Sequence, residues 1–293
     1  MKSKAISYPY VVWMALFVVA PIIIITVYAF TAADGGFTLS NFHEMAQYAS
    51  AFGRSFLLAA VATAVCVLVG YPFALFLARD RGWVHRMATM LIMLPMWMNF
   101  LLRTYSWQFL LERNGLLNHI FGAIGLFDLV NAVNGFLNSA FGLELATDIR
   151  FFQMINTQGA VILGMVYNFL PYMVLPIFSV ISKIDPKVIE AAQDLGANNA
   201  MVFRKVIFPL SLPGVLSGVT MVFIPSVSTF AISRLLGGTN TLLLGNLIEL
   251  QFVGGSYNPW VGSAISLLMM IIVMVCMTVM NRFGEGEEGV AVL

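Results

Sequence analysis

GAVILGMVYNFLPYMVLPIFSVI (Gly159–Ile181) runs directly into SKIDPKVIEAAQDLGANNAMVFRKVIFPLSLPG (Ser182–Gly214). The first part carries no charge and is long enough to cross a bilayer, which takes about 20 mostly apolar residues. The second part gathers Lys183, Asp185, Lys187, Glu190, Asp194, Arg204 and Lys205 before the chain turns apolar again at Leu210. An uncharged crossing, a polar return and a second crossing indicate a helical membrane protein. In lipid each backbone group must be satisfied within its own segment, so the β-branched and aromatic content of these runs does not make them strands.

Five further stretches follow the same pattern on either side. The expected spans are Pro9–Thr31, Phe56–Ala78, Met87–Leu110, Gly159–Ile181, Leu210–Ser233 and Trp260–Met280. The 293-residue chain is 60% hydrophobic and 10% charged, where a soluble domain is about 25% charged. Its net charge of +1 gives no field for nucleic acid. The reading is therefore an all-α integral membrane protein, with a transmembrane domain over residues 1–283 and a short tail, 284–293. Glu285, Glu287 and Glu288 in that tail fit disorder. The first run, Val11–Phe30, is too long for the core of a secretory signal and is read as a retained helix. Ala29, Ala32 and Ala33 leave cleavage as an alternative.

Orientation follows from basic residues in short loops. Ten of them (Lys2, Lys4, Arg79, Arg81, Arg86, Lys183, Lys187, Arg204, Lys205 and Arg282) flank one face, against four (Arg54, Arg113, Arg150 and Arg234) on the other. The rule places both termini in the cytoplasm. It also leaves two long external segments, Leu111–Gln158 and Leu235–Pro259. The first has amphipathic patterns, as at Gly115–Phe127, that predict helices on or over the bundle. The second is rich in Gly and Asn.

Within the cytoplasmic stretch 183–209, Asp185 and Pro186 form a helix start. A short amphipathic helix then covers Val188–Leu195, and Gly196 sits where a C-cap glycine would. A second short helix over Ala200–Ile207 is expected to end at Pro209. Prolines are frequent in the spans. Each removes a backbone bond, which reads either as ordinary packing or, at Pro171, Pro176 and Pro225, as points where helices bend while a path opens. Cys66 and Cys276 lie in apolar runs as small fillers. His43, His85 and His119 are scattered, so no metal site is expected. No catalytic constellation is found, and no phosphate-cradling G-x-x-x-x-G-K-[ST] loop.

The 183–209 segment resembles the EAA loop of ABC importer permeases. In that pattern Glu-Ala-Ala is followed by three residues, Gly, nine residues and Ile-x-Leu-Pro. Glu190, Ala191, Ala192, Gly196 and Pro209 match, while Val206 and Phe208 replace Ile and Leu. The resemblance implies the type I permease fold and a coupling helix that docks on an ATPase. Other stretches are similar to the spermidine/putrescine (PotB-like) permease family. They are GYPFALFLA (Gly70–Ala78), LPMWMNFLLRTYSW (Leu94–Trp107), NGLLN (Asn114–Asn118), LPYMVLPIFSVISKID (Leu170–Asp185) and LLGGTNTLLLGNLIELQF (Leu235–Phe252). This implies a permease subunit of the bacterial inner membrane that imports polyamines. Its partners would be a second permease, an ATP-binding subunit dimer and an extracytoplasmic binding protein. No cofactor is expected in this chain; ATP and Mg would sit on the ATPase.

The six expected spans contain no Asp or Glu. A cationic solute would then meet acids from the partner permease, or aromatic faces worth about 0.5–2 kcal/mol each. Trp97, Tyr105, Trp107, Tyr167 and Tyr172 are the candidates. Arg103, toward the outer end of span three, is expected to snorkel and to serve structure. The alternatives are the same permease class acting on another small solute, or an ion-coupled secondary transporter. The latter usually has ionisable groups near the midplane.

Overall fold

A computed structural model describes residues 4–79, 82–142, 144–255 and 257–284. The expected tail disorder and the charges of Lys2 and Arg81 lie outside the described residues. The regular elements of the described residues are all helices. An isolated bridge between Thr31 and Phe37 is the one β-interaction among those residues.

The first span is α1 (Lys4–Met14), a π turn over Ala15–Val19, and α2 (Ala20–Ala29). After α3 (Ser40–Met45), the second span is α4 (Ala49–Arg79). The third is α5 (Trp83–Trp97) followed by α6 (Phe100–Leu111). The lobe between the third and fourth spans holds α7 (Leu116–Ala123) and α8 (Leu126–Phe141), and the fourth span is α9 (Gln158–Ile181). Two short helices, α10 (Pro186–Asp194) and α11 (Asn199–Val202), lead through a π turn at Phe203–Ile207 into α12 (Phe208–Ser228). After α13 (Leu244–Phe252), α14 (Pro259–Gly284) is the last span. Among the described residues, five helical runs are long and apolar enough to cross a membrane, and six if the bent pair counts as one.

Helices α4, α9 and α12 form the centre. Leu58, Cys66 and Leu77 of α4 are buried with Met165, Met173 and Ile177 of α9 and Val222 of α12. Glycines allow the close approach, since lipid supplies no hydrophobic drive and packing must do the work. A Cβ at Gly214 would stand 2.9 Å from the Pro176 carbonyl oxygen, and one at Gly218 2.7 Å from Met173 Sδ. The first span is peripheral. None of its apolar window is buried, and Ala29 meets Ala264 and Leu267 of α14 near its end.

The structure corrects the expected span Met87–Leu110 and also the fate of Arg103. The two halves of that span meet at 97°. Pro95 cannot donate a backbone bond, Met98 is extended with ψ 147°, and Asn99 restarts the helix. The Asn99 side chain accepts from the backbone N–H groups of Leu101 and Leu102, at 2.8 and 3.3 Å. The bend turns one face of α6 inward, with Arg103, Thr104 and Leu111 buried on it. Arg103 is only 6% exposed and does not snorkel. Its Nε and one terminal nitrogen have no hydrogen-bond partner.

Pro209 does not end a helix either. The π turn before it lets the Phe208 N–H reach the Phe203 carbonyl. Pro209 then follows directly in α12, so the helix carries on past a residue that has no N–H to donate. The fifth span accordingly runs Asn199–Ser228 and stops before the expected Ser233, because Thr229 is extended at ψ 134°.

Candidate translocation path and coupling element

The 183–209 element, the candidate for coupling, is built by its caps. The Asp185 side chain accepts from the Lys187 N–H at 3.0 Å and starts α10. At the other end the Gly196 N–H donates to the Gln193 carbonyl and the Ala197 N–H to the Ala192 carbonyl, at 2.8 and 3.0 Å. That pair of bonds is a Schellman motif, which needs a left-handed residue, and Gly196 has φ +84°. Asn198 then caps α11 by accepting from the Met201 N–H at 2.9 Å. Hence the turn between α10 and α11 is fixed by local bonds at both caps.

This element has two faces. Ile189, Ala192, Ala197 and Phe203 pack against the central core. Glu190, Ala191 and Gly196 are exposed, and Leu195 is 90% exposed beside them. Four residues of the matched motif therefore lie on one short helix and its cap, with Glu190 and Ala191 outward and Ala192 inward. Pro209 lies apart, half-buried, at the head of α12.

The aromatic candidates divide. Trp107 and Tyr167 are brought together edge to face, with ring centroids 5.4 Å apart. Tyr172, on the same helix as Tyr167, lines a cleft of about 500 Å³ between α9 and α12 with Pro176, Ser179, Gly214 and Ser217. Trp97 ends α5 and is 86% exposed. Tyr105 points to the side of α6 away from Trp107, two residues being about 200° apart on a helix, and is 44% exposed. The five do not form one site in this chain.

Asparagines organise the α7–α8 lobe in a way the sequence reading missed. Asn118 Nδ2 donates to the carbonyls of Glu112, Arg113 and Phe152 at 3.1–3.2 Å, and its Oδ1 accepts from the Phe152 N–H at 2.9 Å. Asn131, Asn134 and Asn138 of α8 tie down the returning segment 145–149. Their spacing of three and four residues places them on one helix face, and that spacing was the available signal.

Three comparisons bear on this arrangement. The family described as "Binding-protein-dependent transport system inner membrane component" matches residues 70–285. The spermidine/putrescine transport system permease protein PotB of Haemophilus influenzae is 32% identical over 278 residues, covering 92% of this chain and 90% of that one. The protein of the same description from Escherichia coli K12 is 34% identical over 268 residues, covering 89% and 90%. Among solved structures, a bacterial ABC transporter that imports the acidic polysaccharide alginate aligns at TM-score 0.73 and 15% identity, over 96% of this chain and 94% of that one. A methionine ABC transporter, MetNI, in an inward-facing form aligns at 0.54 and 17%. The fold is thus that of ABC importer permeases, and the chain belongs to the family of binding-protein-dependent transport system inner membrane components.

Proposed function

We propose that this chain forms half of the translocation path of an ATP-driven importer for polyamines. The observation that carries the solute class is its likeness, over about nine-tenths of its length, to permeases of spermidine/putrescine transport systems. The second half of the path comes from another permease. ATP and Mg²⁺ are held by a dimer of separate ATPase subunits, and an extracytoplasmic binding protein delivers the solute. The termini and the coupling element face the cytoplasm.

Glu190, Ala191, Ala192 and Gly196 form the docking element in this reading. The small alanines permit close approach, Glu190 offers a charge, and exposed Leu195 gives an apolar contact. Movement passes through the π turn and Pro209 into α12, whose glycines lie against α9 at Pro176. The cleft at Tyr172 then opens or closes as those two helices shift. Trp107, Tyr167 and Tyr172 present aromatic faces to an ammonium group. Trp97 and Tyr105 would reach the path only through the partner permease.

The test is uptake of labelled spermidine by vesicles carrying the assembled system. Uptake should require ATP and fall when excess unlabelled putrescine is added. ATP-dependent uptake of another solute, with no competition by polyamines, would reject the solute class and leave the permease assignment standing.

A further inference from the structure

At the end of the bundle opposite the coupling element, α12 breaks at Thr229 and α13 folds back into the protein. Asn246 fixes this region. Its side chain is paired with the Ser233 hydroxyl and donates to the Phe230 carbonyl at 2.9 Å. The Leu244 N–H donates to Ser55 Oγ of α4 at 2.8 Å. On this rigid floor lies a cavity of about 430 Å³. Arg234 and Glu249 meet there at 2.6 Å, with side-chain exposures of 67% and 27%.

The lining has the two chemistries that a polyamine alternates. Glu249 supplies a carboxylate and Thr239 a hydroxyl, while Leu242, Leu250 and Val253 supply apolar wall. An ammonium group needs an acid partner when it leaves water, and methylene segments need apolar surface. No acid is present in the six expected spans, so Glu249 is notable as an acid facing a cavity where the chain re-enters the bundle. The resident pair is easily exchanged, because an ion pair this open contributes little to stability.

We propose that this cavity is a cation-exchange site at the outer mouth of the path. A polyamine ammonium takes the place of Arg234 on Glu249, and the Arg234 side chain swings into solvent. No net charge is buried in the exchange. Leaving the site returns Arg234 to Glu249, so the empty mouth is closed by the protein's own cation. This inference rests on the polyamine reading.

The test compares Glu249→Gln, Arg234→Gln, the double variant and Glu249→Asp, with uptake normalised to the amount of assembled complex. Glu249→Gln should lower spermidine uptake about tenfold, the equivalent of one charge-assisted hydrogen bond. ATPase stimulation by the loaded binding protein should persist. Arg234→Gln should keep at least about half of the uptake, since the ammonium no longer has a competitor. The double variant should stay as low as Glu249→Gln, and Glu249→Asp should recover part of the loss.

A second readout follows occupancy directly. In a background lacking Cys66 and Cys276, spermidine should slow the labelling of Thr239→Cys by a cationic thiol reagent, and should not do so when Glu249→Gln is added. Equal losses in both single variants with recovery in the double would make the pair purely structural and overturn the exchange site. So would unchanged labelling, or wild-type uptake in Glu249→Gln. A wild-type system that takes up no polyamine would instead reject the proposed function itself.

Discussion

Trp107 of α6 meets Tyr167 of α9 edge to face, at 5.4 Å between ring centroids and an interplanar angle of 70°. The contact holds the outer half of a broken span against the central helix, at a place where α6 has no continuous helical backbone from α5 to fix it. Edge-to-face pairs add about 0.5–1.5 kcal/mol beyond area burial. In a double-mutant cycle of Trp107→Ala and Tyr167→Ala, thermal unfolding of the purified complex should show a coupling of about that size. Strict additivity would mean that the rings do not act together.

Gly196 is the position where the proposed coupling role and folding separate most cleanly. Its φ of +84° makes a β-branched residue strained by about 1–2 kcal/mol. No side chain crowds it, because a Cβ there meets nothing within 4 Å. Gly196→Val should insert at normal levels, lose uptake and release the ATPase on purification. Gly196→Asn, which tolerates the left-handed region, should keep a substantial part of both. Glu190→Lys should act like the valine variant through charge. Normal uptake and ATPase co-purification in both Gly196→Val and Glu190→Lys would remove this loop from the coupling role.

The α9–α12 contact should be intolerant of added volume. Gly214→Ala places a methyl 2.9 Å from a backbone oxygen, and overpacking of this kind costs about 1–3 kcal/mol. Gly53→Ala is the control, since nothing lies within 4 Å of that position. The first should lower the unfolding temperature of the complex and slow transport, and the second should leave both near wild type. Equal behaviour would mean that the two helices separate easily.

Asn118 supports the α7–α8 lobe from a buried position, 6% exposed. Asn118→Ala takes their partner from the Arg113 carbonyl and the Phe152 N–H, at about 1–3 kcal/mol for each group that stays buried and unpaired, while the Glu112 and Phe152 carbonyls keep the Gly115 and Met154 N–H groups. Hydrogen exchange over residues 150–154 should accelerate, while the centres of α4 and α9 keep their protection. Unchanged exchange would show that water replaces the amide without loss.

The 97° bend between α5 and α6 allows either a broken crossing or a re-entrant hairpin, and the two differ in topology. A broken crossing puts both termini on the cytoplasmic side and Asn134 outside. A hairpin puts the termini on opposite sides. Accessibility reporters at the two ends and near Asn134 should give the first pattern. A periplasmic C-terminus would reverse it.

Where the sequence was legible, one local signal decided the matter. Absence of charge over a span's length marked α4, α9 and α14, and Asp185, Pro186 and Gly196 marked the boundaries of α10 to within a residue or two. The third span was misread because hydropathy does not register a turn. Only Asn99, a capping residue inside an apolar run, signalled it. Pro209 was misread for the opposite reason, as a stop, since a π turn cannot be seen in composition. The aromatic candidates were chosen by residue type, and type does not tell which face of a helix a ring occupies. That is why Trp107 and Tyr167 meet while Trp97 and Tyr105 lie elsewhere. The Arg234–Glu249 pair joins residues from two elements across a Gly- and Asn-rich segment, where no periodic pattern reports distance.

The peripheral first span has a consequence for the order of events during synthesis. Its main partner is α14, which leaves the ribosome after every other described helix. The first span must therefore wait in lipid with its packing face open until the rest of the chain has been threaded. A helix can do so because its backbone bonds are internal. The join of α2 to α14 is thus the final seam of the bundle, and a chain stalled before Pro259 would carry an unsealed face that quality-control proteases of the membrane can recognise.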